Sequence, residues 1–430
     1  MSRFNVRVPR RHAGRRQPST LALAWVLGLT ALTPSAAWAA PDAPSLSYAE
    51  ALELARQAAP ALRAQQATLA GSSALAPAAS TLPDPRLSVG IENLPIAGPD
   101  RWSTTRDAGT MQRIALMQEM PNRAKRDARE QVAQARIERD RATLAATELA
   151  VRREAGLAWL AVHFAEARLS QVAGLQRENR LLQDTLPARI AAGSAMPAEL
   201  TMARQEALAI ADRTDELARD VRKARVELRR WIGERAAAPL QGAAPAMDVN
   251  GDALRSSLPH HAELAPYAPM RAMAQAEVAE ADAEKRGDWS WEVAYSRRPR
   301  YDDMVSFQLS FDLPWQRDRR QQPQIEAKRR EIERIEAERE ELLRRHAAET
   351  DAMLAELQAL DTQAERLRAA GLPLAAERVA LATAAYQAGR GDLAAVLRAR
   401  SQVLETQLRA IDLDAQRAAL RLRLSTLIAE

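Results

Sequence analysis

The chain has 430 residues, is dominated by Ala, Leu, Arg and Glu, and contains 4% aromatic residues and no cysteine. Such a composition belongs to long helices and coiled coils rather than to a sandwich or a doubly wound sheet. Without cysteine there is no disulfide framework, no thiolate metal site, no nucleophilic thiol and no N-terminal cysteine to carry a lipid. The net charge of +5 would suit a nucleic-acid binder, so its location decides that reading.

Arg3, Arg7, Arg10, Arg11, Arg15 and Arg16 precede an apolar run, Leu21 to Leu32, which is followed by Ala37-Trp38-Ala39. A basic segment, a short apolar segment and an A-x-A site form a secretory signal peptide over residues 1–39. Those residues hold six Arg and no Asp or Glu, so the remainder carries +5 − 6 = −1. The basicity belongs to the export signal, and nucleic acid is excluded as a partner. After residue 39 no run of eighteen apolar residues occurs, so a membrane crossing there must use strands closed into a barrel.

From Ser47 a helix is expected, with Ser47 and Glu50 as a capping box and interruptions near Pro60 and near Gly71 or Pro77. A β-hairpin follows at about 85–121: Leu87, Val89 and Ile91 alternate with Ser88, Gly90 and Glu92, and the return runs from Gln112 to Met120. Asn122 to Leu186 has no Pro and carries Ile137, Leu144, Val151, Ala158, Ala165 and Val172 at sevenfold spacing, a coiled-coil seam with small residues. A turn at about 189–196 leads to a second helix, ending near Trp231, which completes a first repeat at 40–235. Residues 236–258, rich in Pro, Gly and Asn, read as a linker.

The second repeat, 259–430, opens with a helix to about Arg286 and a hairpin at about 288–314. Trp289, Trp291, Val293 and Tyr295 alternate with polar or small residues, as do Val305, Phe307, Leu309 and Phe311. A long Arg-rich helix follows from about Asp318, broken or kinked near Gly371-Leu-Pro373, then a turn at about 386–393 and a last helix. Strands of nine or ten residues have the length a tilted strand needs to cross a bilayer, although a soluble half-buried hairpin shows the same alternation.

The internal repeat is the strongest signal. Ala192-Gly193 recurs as Ala388-Gly389, an offset of 196, with Ala-Arg following at the same spacing in both; Pro121 recurs as Pro314, an offset of 193. Each repeat is expected to pack a long helix against two shorter ones in line, with the hairpin at one end and the Gly turn at the other. Four strands cannot close a barrel, for which about eight is the minimum, so an oligomer is required, and a trimer with twelve strands is the natural solution. The expected fold class is therefore mainly α with a membrane β-barrel, two repeats of coiled-coil helices plus a hairpin, assembled as a trimeric α/β-barrel duct. Glu92, Gln308, Ser310 and Asp312 would then face the lumen, and Trp289, Trp291, Phe307 and Phe311 the lipid or the interfaces.

This combination resembles the TolC-type outer-membrane efflux duct family over about residues 45–430. The first hairpin, Leu82-Pro-Asp-Pro-Arg-Leu-Ser-Val-Gly-Ile-Glu-Asn-Leu-Pro95 and Met111-Gln-Arg-Ile-Ala-Leu-Met-Gln-Glu-Met-Pro121, resembles the branch associated with heavy-metal efflux pumps. The resemblance implies a homotrimer in the outer membrane of a Gram-negative cell, with its helices in the periplasm. It also implies docking onto a periplasmic adaptor (a membrane fusion protein) and a proton-driven inner-membrane resistance-nodulation-division pump. The adaptor-docking tips would be Ala192, Gly193 and Ser194 with Ala388, Gly389 and Arg390. Family members carry two aspartates six and nine residues after the second tip glycine; here those positions are Ala395 and Arg398. Glu199 and Asp392, with Arg398, are the candidate gate residues, and Glu199 and Asp392 also read as ordinary helix-start acids.

No phosphate-binding loop, dinucleotide fingerprint, nucleophile elbow or triad is present, so no catalytic residue and no cofactor is expected. His163 and His346 are single residues on long helices, and His260-His261 lacks the i, i+4 spacing that aims two imidazoles at one ion, so no metal site is assigned. Met111, Met117, Met120, Met270 and Met273 read as apolar filler rather than as Cu(I) ligands. The alternatives to metal efflux are a duct for drugs or proteins and a periplasmic coiled-coil scaffold or adaptor.

Overall fold

The computed structural model describes residues 45–427, so the signal peptide lies outside the described residues. Ser47 caps the first helix, α1 (Tyr48–Ala58), by accepting the Glu50 N–H at 3.2 Å. Glu50 does not close the capping box; its carboxylate pairs with Arg235 instead. Ala59 is extended, as the residue before a proline prefers, and Pro60 starts α2 (Pro60–Ala79). That helix continues through both Gly71 and Pro77. Pro77 falls in its last turn, where its missing N–H removes one of the final ladder bonds, and the helix ends two residues later.

Strands β1 (Arg86–Glu92) and β2 (Met111–Met120) form the first hairpin, and β3 (Trp289–Arg297) and β4 (Met304–Phe311) the second. The hairpins join through β2 and β3 into one antiparallel sheet, β1-β2-β3-β4, with Ile114 opposite Tyr295 and Leu116 opposite Val293.

Helix α3 (Arg123–Ala191) is 69 residues long, roughly 104 Å at 1.5 Å per residue. Its seam is buried at Ile137, Val151, Ala158, Ala165 and Val172, half-buried at Leu144, and runs on through Asn179 to Leu186. Two shorter helices share its length. Near its start lies α2, whose Gln65 reaches the Asp140 carbonyl; near its end lies α4 (Pro197–Ile232), where the Asn179 amide donates to the Ala203 carbonyl and Arg225 pairs with Glu166.

The second half repeats this arrangement. After α5 (Gly251–Ser257) and two 3-10 turns, α6 (Tyr267–Ala283) leads into β3. Beyond β4, α7 (Gln321–Arg366), a π-turn (Leu367–Gly371) and α8 (Leu372–Gln387) form one continuous path of 67 residues. The expected break at Gly371-Leu-Pro373 is this π-turn. Widening one turn absorbs the missing Pro373 N–H without ending the helix. Helix α6 pairs with the start of this path (Arg271–Glu336, 3.0 Å), and α9 (Leu393–Ser425) with its end (Arg417–Asp361, 2.5 Å). Arg168–Asp412 at 2.8 Å ties α3 to α9.

Each long helix therefore packs against two short ones, the arrangement expected of coiled-coil repeats. Leu186, Ala203, Leu393 and Val396 fill the seam near the turns, and Trp159, fully buried against Tyr48, anchors it at mid-length. Among the described residues no helix is long and apolar enough to cross a membrane.

Candidate functional site: the sheet and the two tip turns

The register assigns every strand residue to one of two faces. Val89, Ile114, Tyr295 and Val305 form one cross-sheet row and Leu87, Leu116, Val293 and Phe307 the next, and the apolar face continues through Trp289 and Phe311. Its side chains are open: Val89 and Val305 are each 73% exposed, and Phe307 is 65% exposed. Withdrawing a side chain of this kind from water is worth about 1.5–3 kcal/mol, so a dozen of them left on one sheet require an apolar surrounding. Both outer strands, β1 and β4, also keep a free edge in the single chain. Water tolerates such edges poorly and hydrocarbon does not tolerate them at all.

The opposite face is polar. Arg113 bonds Glu92 at 3.2 Å and reaches Glu292 diagonally across the buried Ala115–Ala294 pair. Gln308 and Ser310 lie on this face and contact each other. Asp312 is one residue beyond β4, where its N–H donates to the Asp288 carbonyl at 2.8 Å, so it sits at the junction of sheet and helices. Met111 and Met117 point to the polar face and Met120 to the apolar one, which separates the three thioethers.

The junction is held by Asn122 and Asp288. The Asn122 side chain caps α3 by accepting the Lys125 N–H at 2.9 Å, and its own N–H donates to the Asp288 carboxylate at 2.9 Å. Lys125 stands 3.2 Å from the same carboxylate. Burial opposes ionisation of Asp288, but the Asn122 N–H and Lys125 outweigh it and hold the carboxyl below its ordinary range. Gly287, at φ +66°, passes so close that a Cβ would stand 2.1 Å from the Asp312 carbonyl oxygen.

At the far end, the two tip turns are superposable in their bonding. Gly193 N–H donates to Ile190 O at 3.0 Å and Ser194 N–H to Arg189 O at 2.9 Å; Gly389 donates to Tyr386 O at 3.1 Å and Arg390 to Ala385 O at 2.9 Å. Both are Schellman closures with glycine left-handed, at φ +69° and +71°. Ala192, Gly193 and Ser194, like Ala388, Gly389 and Arg390, are exposed.

One network joins the turns. The Tyr386 hydroxyl donates to the Glu199 carboxylate, and Arg189 donates to the same hydroxyl at 3.1 Å while its guanidinium lies 5.0 Å from the ring centre. Burial first, then Glu199, raises the Tyr386 pKa, so the phenol keeps its proton and remains a donor. Asp392 is occupied as the N-cap of α9, accepting the Ala395 N–H at 2.7 Å, and Arg398 is exposed one turn further on. Of the three candidate gate residues, only Glu199 has its carboxylate bonded to the other tip turn. Tyr386 and Arg189 were not distinguishable in the sequence, since one tyrosine and one arginine near a turn carry no spacing signal.

The structure also brings together two histidines that the sequence keeps apart. His261 stacks on His346 of α7, with ring centroids 3.8 Å apart. Burial, and then His346 beside it, pushes the His261 pKa down to about 4, so this ring is neutral at neutral pH.

No protein-family model matches the chain, and no curated protein sequence matches it. Solved structures do. CusC matches with a TM-score of 0.74 at 16% identity, over 89% of this chain and 92% of its own. The outer membrane protein VceC of Vibrio cholerae gives 0.73 at 18%, over 88% and 95%. The CmeC outer membrane channel of Campylobacter jejuni gives 0.74 at 12%, over 88% and 85%. The fold is that of TolC-like outer-membrane channels.

Proposed function

We propose that the protein is the outer-membrane exit duct of a tripartite efflux system. Three copies supply 3 × 4 = 12 strands, closing the free edges of β1 and β4 and turning the apolar face to lipid. The polar face, with Glu92, Gln308 and Ser310, then lines a water-filled lumen. The α-helices extend the duct through the periplasm, and the paired tip turns offer the docking surface for a periplasmic adaptor linked to a resistance-nodulation-division pump. Residues 1–39 direct export, 40–235 and 259–430 form the two repeats, and 236–258 links them.

One observation carries this reading: a sheet with one exposed apolar face and two open edges, seated on helices about 100 Å long. A soluble scaffold has no use for such a face. The duct is passive, with transport energy supplied by the pump. Heavy-metal ions are the cargo favoured by the resemblance of the first hairpin; drugs or proteins are the alternative cargo.

Fractionation followed by gel electrophoresis without heating tests the duct. The expected result is an outer-membrane oligomer that dissociates on heating, and a soluble periplasmic monomer refutes the reading. A deletion strain tested against zinc, cadmium, cobalt, copper, silver and several drugs tests the cargo. Sensitivity confined to the drugs overturns the metal assignment while leaving the duct intact.

A further inference from the structure

A polar cluster lies away from both the sheet and the tips. Ahead of α6 the chain makes two 3-10 turns, Leu258–His260 and Ala262–Leu264, which pack on α3, α7 and the end of α9. The Ala262 N–H donates to the Leu427 carbonyl at 3.3 Å, fixing the segment. Between these elements is a cavity of about 560 Å³, lined by His261, Glu263, His346 and Glu349 and also by Arg153, Arg345 and Arg423.

His261 is 3% exposed and His346 is 7% exposed. His346 Nε2 is buried without a hydrogen-bond partner, although the Glu263 carboxylate stands 3.3 Å away. A buried imidazole nitrogen left in this way calls for an explanation. The other nitrogen, Nδ1, lies 3.4 Å from the Glu349 carboxylate. An imidazole with a carboxylate behind one nitrogen and a vacant lone-pair direction on the other is the arrangement by which proteins orient a metal-ligating histidine.

We propose that His261, His346 and Glu263 form a binding site for one divalent transition-metal ion of the zinc class, with Glu349 supporting His346 from behind. The inference does not rest on the protein being a duct, and the ion is a fixed ligand rather than cargo. One ligand atom from each of the three residues lies within 4.8 Å of the others. Around a tetrahedral ion with bonds of about 2.0–2.1 Å the ligand atoms stand roughly 3.3–3.4 Å apart, so rotation of the side chains closes the site.

Two imidazoles and a carboxylate suit Zn(II), Co(II) or Ni(II), while Ca(II) and Mg(II) favour sets made of oxygen. Glu263 and Glu349 supply the negative charge that favours a divalent ion, against Arg153, Arg345 and Arg423 of the same lining. His261 Nδ1 accepts the Glu263 N–H at 3.1 Å, so loading through its Nε2 moves the ring proton to Nδ1 and exchanges that contact for the metal bond. The fourth position opens to the cavity and is available to water. Occupied, the site clasps the segment before α6 to α7.

The test uses the intact mature protein in detergent, without a polyhistidine tag, stripped by a chelator and titrated with Zn(II) alone. The expected result is one ion per chain, with affinity reduced more than about a hundredfold in H261Q and H346Q, beyond the loss typical of a supporting residue. H260Q, altering the adjacent histidine, is expected to bind as the unaltered protein does. Co(II) loading should give the ligand-field spectrum of a tetrahedral site, lost in H346Q. Absence of Zn(II) binding to the intact protein overturns the proposal. So does unchanged affinity in both histidine variants. Should those fail to fold, E263Q decides, because Glu263 is exposed and its replacement leaves the packing in place: unchanged Zn(II) affinity there is equally fatal.

Discussion

Tyr386→Phe is the sharpest test of whether the tip contact at the candidate gate residue Glu199 gates the duct, because it removes one oxygen and leaves the ring under Arg189. The lost atom donates to Glu199 and accepts from Arg189 at 3.1 Å. A hydrogen bond to a charged group contributes about 1.5–3 kcal/mol, and the half-exposed position places this one at the lower end, about 1.5 kcal/mol. Glu199 keeps its second role, accepting the Met196 N–H at 3.2 Å, so the start of α4 should survive. Each chain then favours the separated tip by about tenfold, since 1.4 kcal/mol is a factor of ten. Three independent latches in a trimer sum to about 4.5 kcal/mol, on the order of a thousandfold. Single-channel conductance in a planar bilayer reads this directly: Y386F should spend far more time in a high-conductance state, and E199Q should shift the same way by less. Wild-type conductance in both variants would show that the bond between the tips carries no gating energy.

Three further outcomes follow from the sheet and its root. Phe307→Arg places a charge at the middle of β4 on the apolar face, at a cost of about 2–4 kcal/mol at mid-bilayer, whereas Ser306→Arg faces the lumen; folding into liposomes should fail for the first and proceed for the second. Gly287→Ala should prevent the sheet from seating, since its Cβ would stand 2.1 Å from the Asp312 carbonyl oxygen at a positive φ; loss of the heat-dissociable oligomer is the readout. Asp288, with its pKa held below the ordinary carboxylate value, contributes stability that is fully present above that value and fades as the pH falls through the lowered one. Melting followed from neutral to strongly acidic pH should therefore flatten in Asp288→Asn. That variant should also be less stable at neutral pH by about 1.5–3 kcal/mol through its lost bonds to Asn122 and Lys125.

Much of this molecule was legible from local pattern. The alternation of Trp289 to Tyr295 and Val305 to Phe311 placed Gln308 and Ser310 on the polar face, because a strand has only two faces and one residue of shift exchanges them. The sevenfold spacing from Ile137 to Val172 gave the long seam, and the Ala-Gly repeat located two turns whose hydrogen bonds prove to be equivalent. The pairing of β2 with β3 was less accessible, since it joins residues 169 to 185 positions apart and no local preference encodes it.

Sequence alone thus determined the kinds of element, their order and their twofold repetition, all of which follow from periodicity and from where glycine and proline must stand. Tertiary structure decided which side chains meet. Glu199 finds Tyr386 because two helical turns end at the same level. Asp288 finds Asn122 because the sheet roots beside the start of α3. His261 finds His346 because a short 3-10 segment is pressed against a long helix. None of these pairs has a characteristic spacing, for the chain separating the partners can change length without moving them apart. Contacts of this kind are set by packing, and packing is where the bond between the tips, the junction and the proposed metal site all reside.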